Sequence, residues 1–330
     1  MKKSMFMMGM VVAALASCTN EDVVSIPSSK AIGFDAFVGN TTKAVTPIDL
    51  PGLKGDDGGF YVFGGYETLP SVFNNTHITW NGSSWEYSPL SYWKEGESYK
   101  FAAYAPALNV TPTFDYESGT LTFKDVKSDM DNQKDFIAAQ LLDAITAQAS
   151  GNAPVQFTFR HAMAMIKISL KNGFRDGVKV QIANGFTVSG INTQGDFVTT
   201  TGSAGTWSNV DTKADFTDGG TTLEAYEATY EPEFIVIPQT LANAGDVTVK
   251  FSVILTDANG DAVPVTGGSG AGQNVKTLTI KIPAGTWNQQ NRYSYSATID
   301  GRLFGLQSIT FDDPTVETWP VYTNTDVTIE

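Results

Sequence analysis

One cysteine, two histidines and no arginine before position 160 serve a chain of 330 residues. The single thiol excludes an internal disulfide, so the fold must rest on a core large enough to hold without staples. The histidines, His77 and His161, lie far apart, and no HExxH, phosphate-loop or GxSxG motif accompanies them. The standard zinc-protease, nucleotide-hydrolysing and serine-hydrolase patterns are therefore missing. Bases are scarce, 21 against 35 acids, for a net charge of −14. That sign makes nucleic acid and anionic membrane surfaces poor partners. Long apolar runs are missing too. Met5 to Leu15 is apolar apart from Gly9, but its eleven residues extend only about 16 Å as a helix. A bilayer core needs about 20 apolar residues.

What is present at that end has an order of its own. A short basic start, Met1-Lys2-Lys3, precedes the apolar stretch, and small residues close it, which describes a secretory signal over residues 1–17. The exit Leu15-Ala16-Ser17-Cys18 resembles the bacterial lipobox, in which cleavage falls just before the cysteine and the thiol carries a diacylglyceryl group. That resemblance makes Cys18 a lipid anchor to the outer membrane, and acyl chains on one residue supply the several signals stable anchoring needs. Thr19 follows in place of Asp, so retention in the inner membrane is not implied. Asn20-Glu21-Asp22 is either an acidic export tag or a solvated linker within residues 18–30. The mature chain would keep 19 bases against 35 acids, a net charge of −16.

The body reads as strands and turns. Gly occurs 31 times and Pro 14 times, and Asn81-Gly82, Asp176-Gly177 and Asn259-Gly260 are turn dipeptides. Between them, short runs alternate with period two, as in residues 246–257 and 276–282, where Leu278, Ile280 and Ile282 share a face. Many short strands with regular turn signals predict an all-β fold of sandwiches. Residues 254–265 read as a hairpin with Asn259-Gly260 at its tip. Residues 195–220 and 267–272, rich in Gly, Thr and Ser, read as long loops. Residues 134–150 fit either a short helix, with Ile137, Leu141 and Ile145 four apart, or a strand plus loop. Val155, Phe157 and Phe159 set an odd apolar face, whereas Ala162, Ala164, Ile166, Ile168 and Leu170 set an even one. A one-residue slip reverses every side chain of a strand, so Arg160-His161 marks a bulge or a junction. We place a domain junction there, dividing the chain into 31–160 and 161–330.

Candidate chemistry is thin. His161, between an aromatic strand and an Ala/Met strand, reads as a packed structural residue. Carboxylates are plentiful, but no pair is singled out for glycoside hydrolysis. "DMDNQKD" (129–135) lacks the Gly and terminal Glu of a calcium hand loop. No catalytic residue, metal set or cofactor is indicated. Trp80, Trp85, Tyr87, Tyr92 and Trp93 crowd into fourteen residues. They form either core and cross-strand pairs, the reading we favour, or an exposed platform for sugars. The platform would make the chain a surface glycan-binding lipoprotein of a polysaccharide uptake system.

Four segments, "AIGFDAFVGNTTKA", "WEYSPLSYWKEGESYKFAAYAP", "VQFTFRHAMAMIKISL" and "IPAGTWNQQNRYSYSATI", resemble the fimbrillin family, the lipoprotein-precursor subunits of type V pili. The resemblance implies two tandem transthyretin-like β-sandwiches, a cell-surface or fimbrial location and no enzymatic activity. It implies assembly by strand exchange with other pilus subunits, and possible contact with a host or bacterial surface ligand. In that scheme a protease cuts after a basic residue behind the first strand, the strand leaves, and a neighbour's C-terminal strand fills the groove. Here Ile32, Phe34, Ala36 and Val38 share one face, as a removable strand requires, and Lys43 stands in the loop that follows. Many members of the family carry Arg at this place. Either a Lys-tolerant protease cuts after Lys43, or the strand stays and the subunit remains anchored. At the other end Val321, Thr323, Thr325, Val327 and Ile329 share a face within 321–329, behind the break at Pro320. That segment is either a donor strand or the final strand of its own domain.

Overall fold

The computed structural model describes residues 30–38, 48–56, 58–139, 143–199, 205–305 and 308–318. Among the described residues the protein is all β apart from a four-residue helix, α1 (Leu50–Leu53), and short 3-10 turns. No described helix is long and apolar enough to cross a membrane.

The first strands in chain order are β1 (Phe34–Val38), β2 (Phe60–Tyr66), β3 (Leu69–Trp80), β4 (Trp85–Glu86) and β5 (Ser98–Ala105). Next come β6 (Thr113–Asp115), β7 (Thr120–Lys127), β8 (Ile137–Ala139), β9 (Ile145–Thr146) and β10 (Val155–His161). The first sheet runs β1, β10, β8, β5, β2, β3, β4, with β9 attached to β5. It curls until its ends meet, because Ala31 at the head of β1 bridges to Tyr92, just past β4. Inside the curl lies an aromatic core that includes Phe34, Phe60, Phe73, Tyr99, Phe101, Phe157 and Phe159.

The second half starts with β11 (Ala164–Asn172), β12 (Lys179–Thr199), β13 (Thr206–Asp218), β14 (Thr222–Leu223), β15 (Thr229–Tyr230) and β16 (Glu233–Val236). It continues with β17 (Gln239–Leu241), β18 (Thr248–Thr256), β19 (Val275–Lys281), β20 (Gly285–Trp287), β21 (Asn291–Ile299) and β22 (Thr315–Thr318). One sheet orders β15, β11, β21, β22; the other orders β19, β18, β12, β7, β6. A large aliphatic core lies between them, drawn from β11, β12, β18 and β21.

A third cluster joins the halves. Phe63, Ala102 and Tyr104 from the outer face of the first sheet meet Phe123, Met163, Met165, Phe197 and Ile235. Strand β7 belongs by sequence to 31–160, yet it is hydrogen-bonded to β12, with Leu121 opposite Thr199. A cut at residue 160 would thus pass between strands of a continuous sheet. The phase change itself has a plain cause. β10 ends at His161 in the first sheet, and β11 begins at Ala164 in another. The head of β11 is buried on both faces, Met163 and Met165 toward the joining cluster and Ala164 and Ile166 toward the second core.

One reading of the sequence needs correction, and one open choice is decided. Residues 195–220 are not a long loop: β12 runs to Thr199, and β13 returns antiparallel from Thr206 to Asp218. Register shifts at Val188/Ile191, Asn192/Gln194 and Gln194/Asp196 break the period that marks a strand. In 134–150 the strand-plus-loop alternative holds, because the described residues form β8 and β9 and no helix. Packing explains this: Phe136 through Ala139 are all buried, which a solvent-facing helix could not use.

Candidate functional site

The first strand is the part of the fold arranged like a removable piece. β1 lies at the end of its sheet and pairs in parallel with β10, Phe34 opposite Val155 and Val38 opposite Phe159. Ile32, Phe34, Ala36 and Val38 are 1–5% exposed, while the alternate positions are half-buried. Phe34 reaches the middle of the core. Its ring centroid lies 5.0 Å from Phe73, 5.7 Å from Tyr87, 5.8 Å from Phe157 and 5.9 Å from Phe101. The head of the strand is stitched on its other side. Ile32 N–H donates to Ser91 O at 2.9 Å, Trp93 N–H donates to Lys30 O at 2.9 Å, and Tyr87 Oη donates to Ile32 O at 2.7 Å. Burying Ile32, Phe34 and Val38 is worth about 1.5–3 kcal/mol each. Loss of β1 without replacement would therefore open a groove lined by phenylalanines.

The segment behind β1 is fixed where the described chain resumes. Ile48 N–H donates to Asp135 Oδ2 at 2.8 Å, and the same oxygen accepts from His161 Nδ1 at 2.8 Å. Both partners are buried, which makes His161 the structural residue expected of it. Asp49 caps α1, accepting from Gly52 N–H at 2.7 Å, and Lys54 at the helix end places Nζ 3.9 Å from the Trp80 ring centroid. A cleft of about 440 Å³ lies beside these residues and brings His77, Tyr61, Lys134 and Asp135 to one place. His77 stacks on Tyr61 at 4.6 Å and points Nε2 at Gly58 O, 3.2 Å away. The cleft was not visible in the sequence; only the antiparallel pairing of β2 with β3 and β5 assembles it.

In "DMDNQKD" the groups serve the fold. Asp129 accepts from Asp131 N–H at 3.1 Å and Asn132 Nδ2 at 2.6 Å, and Gln133 exchanges bonds with Ile235 at 2.9 and 3.0 Å. The tryptophans do not form a platform. Trp80 and Trp85 face each other across the β3–β4 hairpin at 5.3 Å, Trp85 also packs on Phe60 at 4.9 Å, and Trp93 is buried against Tyr99 at 4.8 Å. Asn81-Gly82 makes the turn between them, with Asn81 Oδ1 accepting from Ser83 and Ser84 N–H at 2.9 Å. Cys18, Lys43 and Val321, Thr323, Thr325, Val327 and Ile329 lie outside the described residues.

Packed β-sheets with one edge strand closing the first core define an all-β protein of the sandwich class. The chain belongs to the fimbrillin-like family, whose model matches residues 41–319, starting just behind β1. Among solved structures it is similar to a fimbrial protein from Bacteroides vulgatus, at 18% identity and a TM-score of 0.57, covering 88% of this chain and 99% of that one. A candidate cell adhesion protein from Bacteroides ovatus aligns at 17% identity and a TM-score of 0.50, over 89% of this chain and 99% of its own. At these identities the likeness is one of fold. No curated protein matches the chain.

Proposed function

We propose that this protein is a cell-surface pilus subunit, structural or adhesive and not an enzyme, anchored to the outer membrane through lipid on Cys18. In this reading β1 keeps a groove shut until cutting after Lys43 frees it, and a neighbouring subunit's strand then takes its place. The two halves, 31–160 and 161–330, act as one subunit, because β6 and β7 of the first half complete a sheet of the second. The observation that carries the reading is the position of β1: an edge strand with four buried residues on one face and pairing to β10 along its length. Edge strands are templates for pairing, and an apolar groove selects the side chains that replace them. Lys54 is the nearest alternative cut, but it is held at the end of α1 over Trp80. Lacking Arg near β1, the chain would keep that strand in the presence of an Arg-specific protease alone and would then stay as an anchor or terminator. The donor is the segment 321–329.

The test is direct. The chain beginning at Cys18 is treated with a Lys-specific protease, and products are read by N-terminal sequencing and denaturant-free gels. The expected result is a chain starting at Ala44 and a ladder of multimers. Chains cut at Lys43 that keep their C-terminus and remain monomeric would defeat the reading.

A further inference from the structure

A second concavity, on elements of the second half, has the opposite chemistry to the cleft beside Ile48. It lies between the β12–β13 hairpin and the β17–β20 pair and has a volume of about 540 Å³, within the range of pockets that hold small molecules. Its walls include Asn192, Trp207, Gln239, Asn288 and Gln289, with threonines between them. In a chain carrying 35 acids and 21 bases, none of the described residues lining this groove is charged.

Its polar groups are arranged, and one is left over. Gln239 Oε1 accepts from Asn192 N–H at 2.8 Å, while its Nε2 donates to Gly190 O at 3.2 Å, so the Gln239 amide is held in one orientation. Asn192 is only 8% exposed, and its Oδ1 has no hydrogen-bond partner among the described residues. A buried acceptor without a donor is unfavourable, so a donor that reaches it through a small shift of the groove wall is favoured. Trp207 is half-buried. Its Nε1 donates to Ala162 O at 2.7 Å, and its ring packs on Phe197 at 5.2 Å. With its polar edge engaged, the indole offers the groove carbon surface. Gln289 Nε2 donates to Gly205 O at 3.0 Å, and Asn288 N–H donates to Tyr293 Oη at 2.7 Å, fixing the chain beneath the remaining amides.

We propose that this groove binds a neutral, hydroxyl-rich ligand, a saccharide without carboxylate or sulfate groups, against Trp207, Asn192 Oδ1 and the amides of Asn288 and Gln289. A sugar ring has a C–H face for an aromatic surface and hydroxyl edges that both donate and accept, which is what side-chain amides and one orphan carbonyl oxygen complement. An anionic glycan would bury its charge with no cation to meet it. The site is separate from β1 and does not depend on strand exchange.

Native gels carrying mannan, starch, a mixed-linkage β-glucan, hyaluronan or heparin test this on the full uncut chain. Migration is expected to slow in at least one neutral gel and in neither anionic one. Asn288→Ala with Gln289→Ala should weaken that retardation about tenfold or more, the scale of one or two lost hydrogen bonds. The thermal midpoint should fall by only a few degrees, because Asn288 is exposed and half-buried Gln289 gives up a single hydrogen bond, to Gly205 O. No retardation by any neutral polymer, equal retardation by heparin, or retardation indifferent to the double substitution would each overturn the proposal. None of these results bears on the Lys43 experiment, so the two readings fail separately.

Discussion

β1 and β22 both lie at sheet edges, and they are attached in opposite ways. β1 buries Ile32, Phe34, Ala36 and Val38 in the first core. β22 pairs antiparallel with β21, Asn291 opposite Thr318, yet all four of its residues are exposed and Val316 is 51% exposed. Main-chain bonds are traded against bonds to water, so each nets only about 0.5–1.5 kcal/mol. Side-chain burial is what holds an edge strand. The first strand is thus a plug, and the last described strand is a tether that leaves no cavity when it lifts. The proposed exchange, which removes β1 and lends the segment behind β22, would draw on this asymmetry.

Substitutions can break or sharpen the contrast. The largest effect is expected for Phe34→Ala, which leaves a cavity among four rings and should cost about 3–5 kcal/mol in denaturant unfolding. Should it cost under 1 kcal/mol, β1 would be no plug. Next is Asp135→Ala. It strips the acceptor from Ile48 N–H and His161 Nδ1, and should cost about 1–3 kcal/mol while exposing the chain near residue 48 to faster hydrogen exchange. A smaller and pH-dependent effect belongs to Asp196, which ties β12 to β7. Lys124 Nζ at 2.7 Å, Asp125 N–H at 3.0 Å and Asn209 Nδ2 at 2.7 Å all bond its carboxylate and hold its pKa down to about 2. The folded state prefers this group ionised, so its contribution is full above the ordinary carboxylate range, near 3.9, and fades as pH falls through about 2. Asp196→Asn should flatten the stability curve between those values, and an unchanged slope would dismiss the tie. The smallest change is expected at β22: Val316→Ala should stay within about 0.5 kcal/mol in the same unfolding assay.

Period-two patterns carried much of this fold in plain view. The alternation at 32–38 named the buried face of β1, and the same period placed Ile280 and Ile282 in the second core beside half-buried Leu278. The Trp80–Trp85 hairpin followed from Asn81-Gly82, and the reversal of phase at 160–161 from counting. Residues 195–220 were hidden because three register shifts scramble the alternation of β12. The spacing of Ile137, Leu141 and Ile145 left helix and strand both open, because residues such as Ile137 and Ala138 suit a helix pattern yet fill a buried strand once both faces are covered. Neither concavity was legible. The orphan oxygen of Asn192 and the neutral lining around it come from four separated segments, and no local pattern records their meeting.

By itself the sequence determined which faces of its strands are oily, where its turns fall, and that no disulfide holds it, since these depend on neighbours along the chain. The tertiary structure decided that β7 leaves the first sheet to pair with β12, that β1 ends up at an edge rather than in the middle, and that an uncharged groove forms beside Trp207. The physical reason is that strand pairing joins any two edges of matching register and burial, whatever their distance in the chain, so partners are settled only when the whole set of sheets is packed.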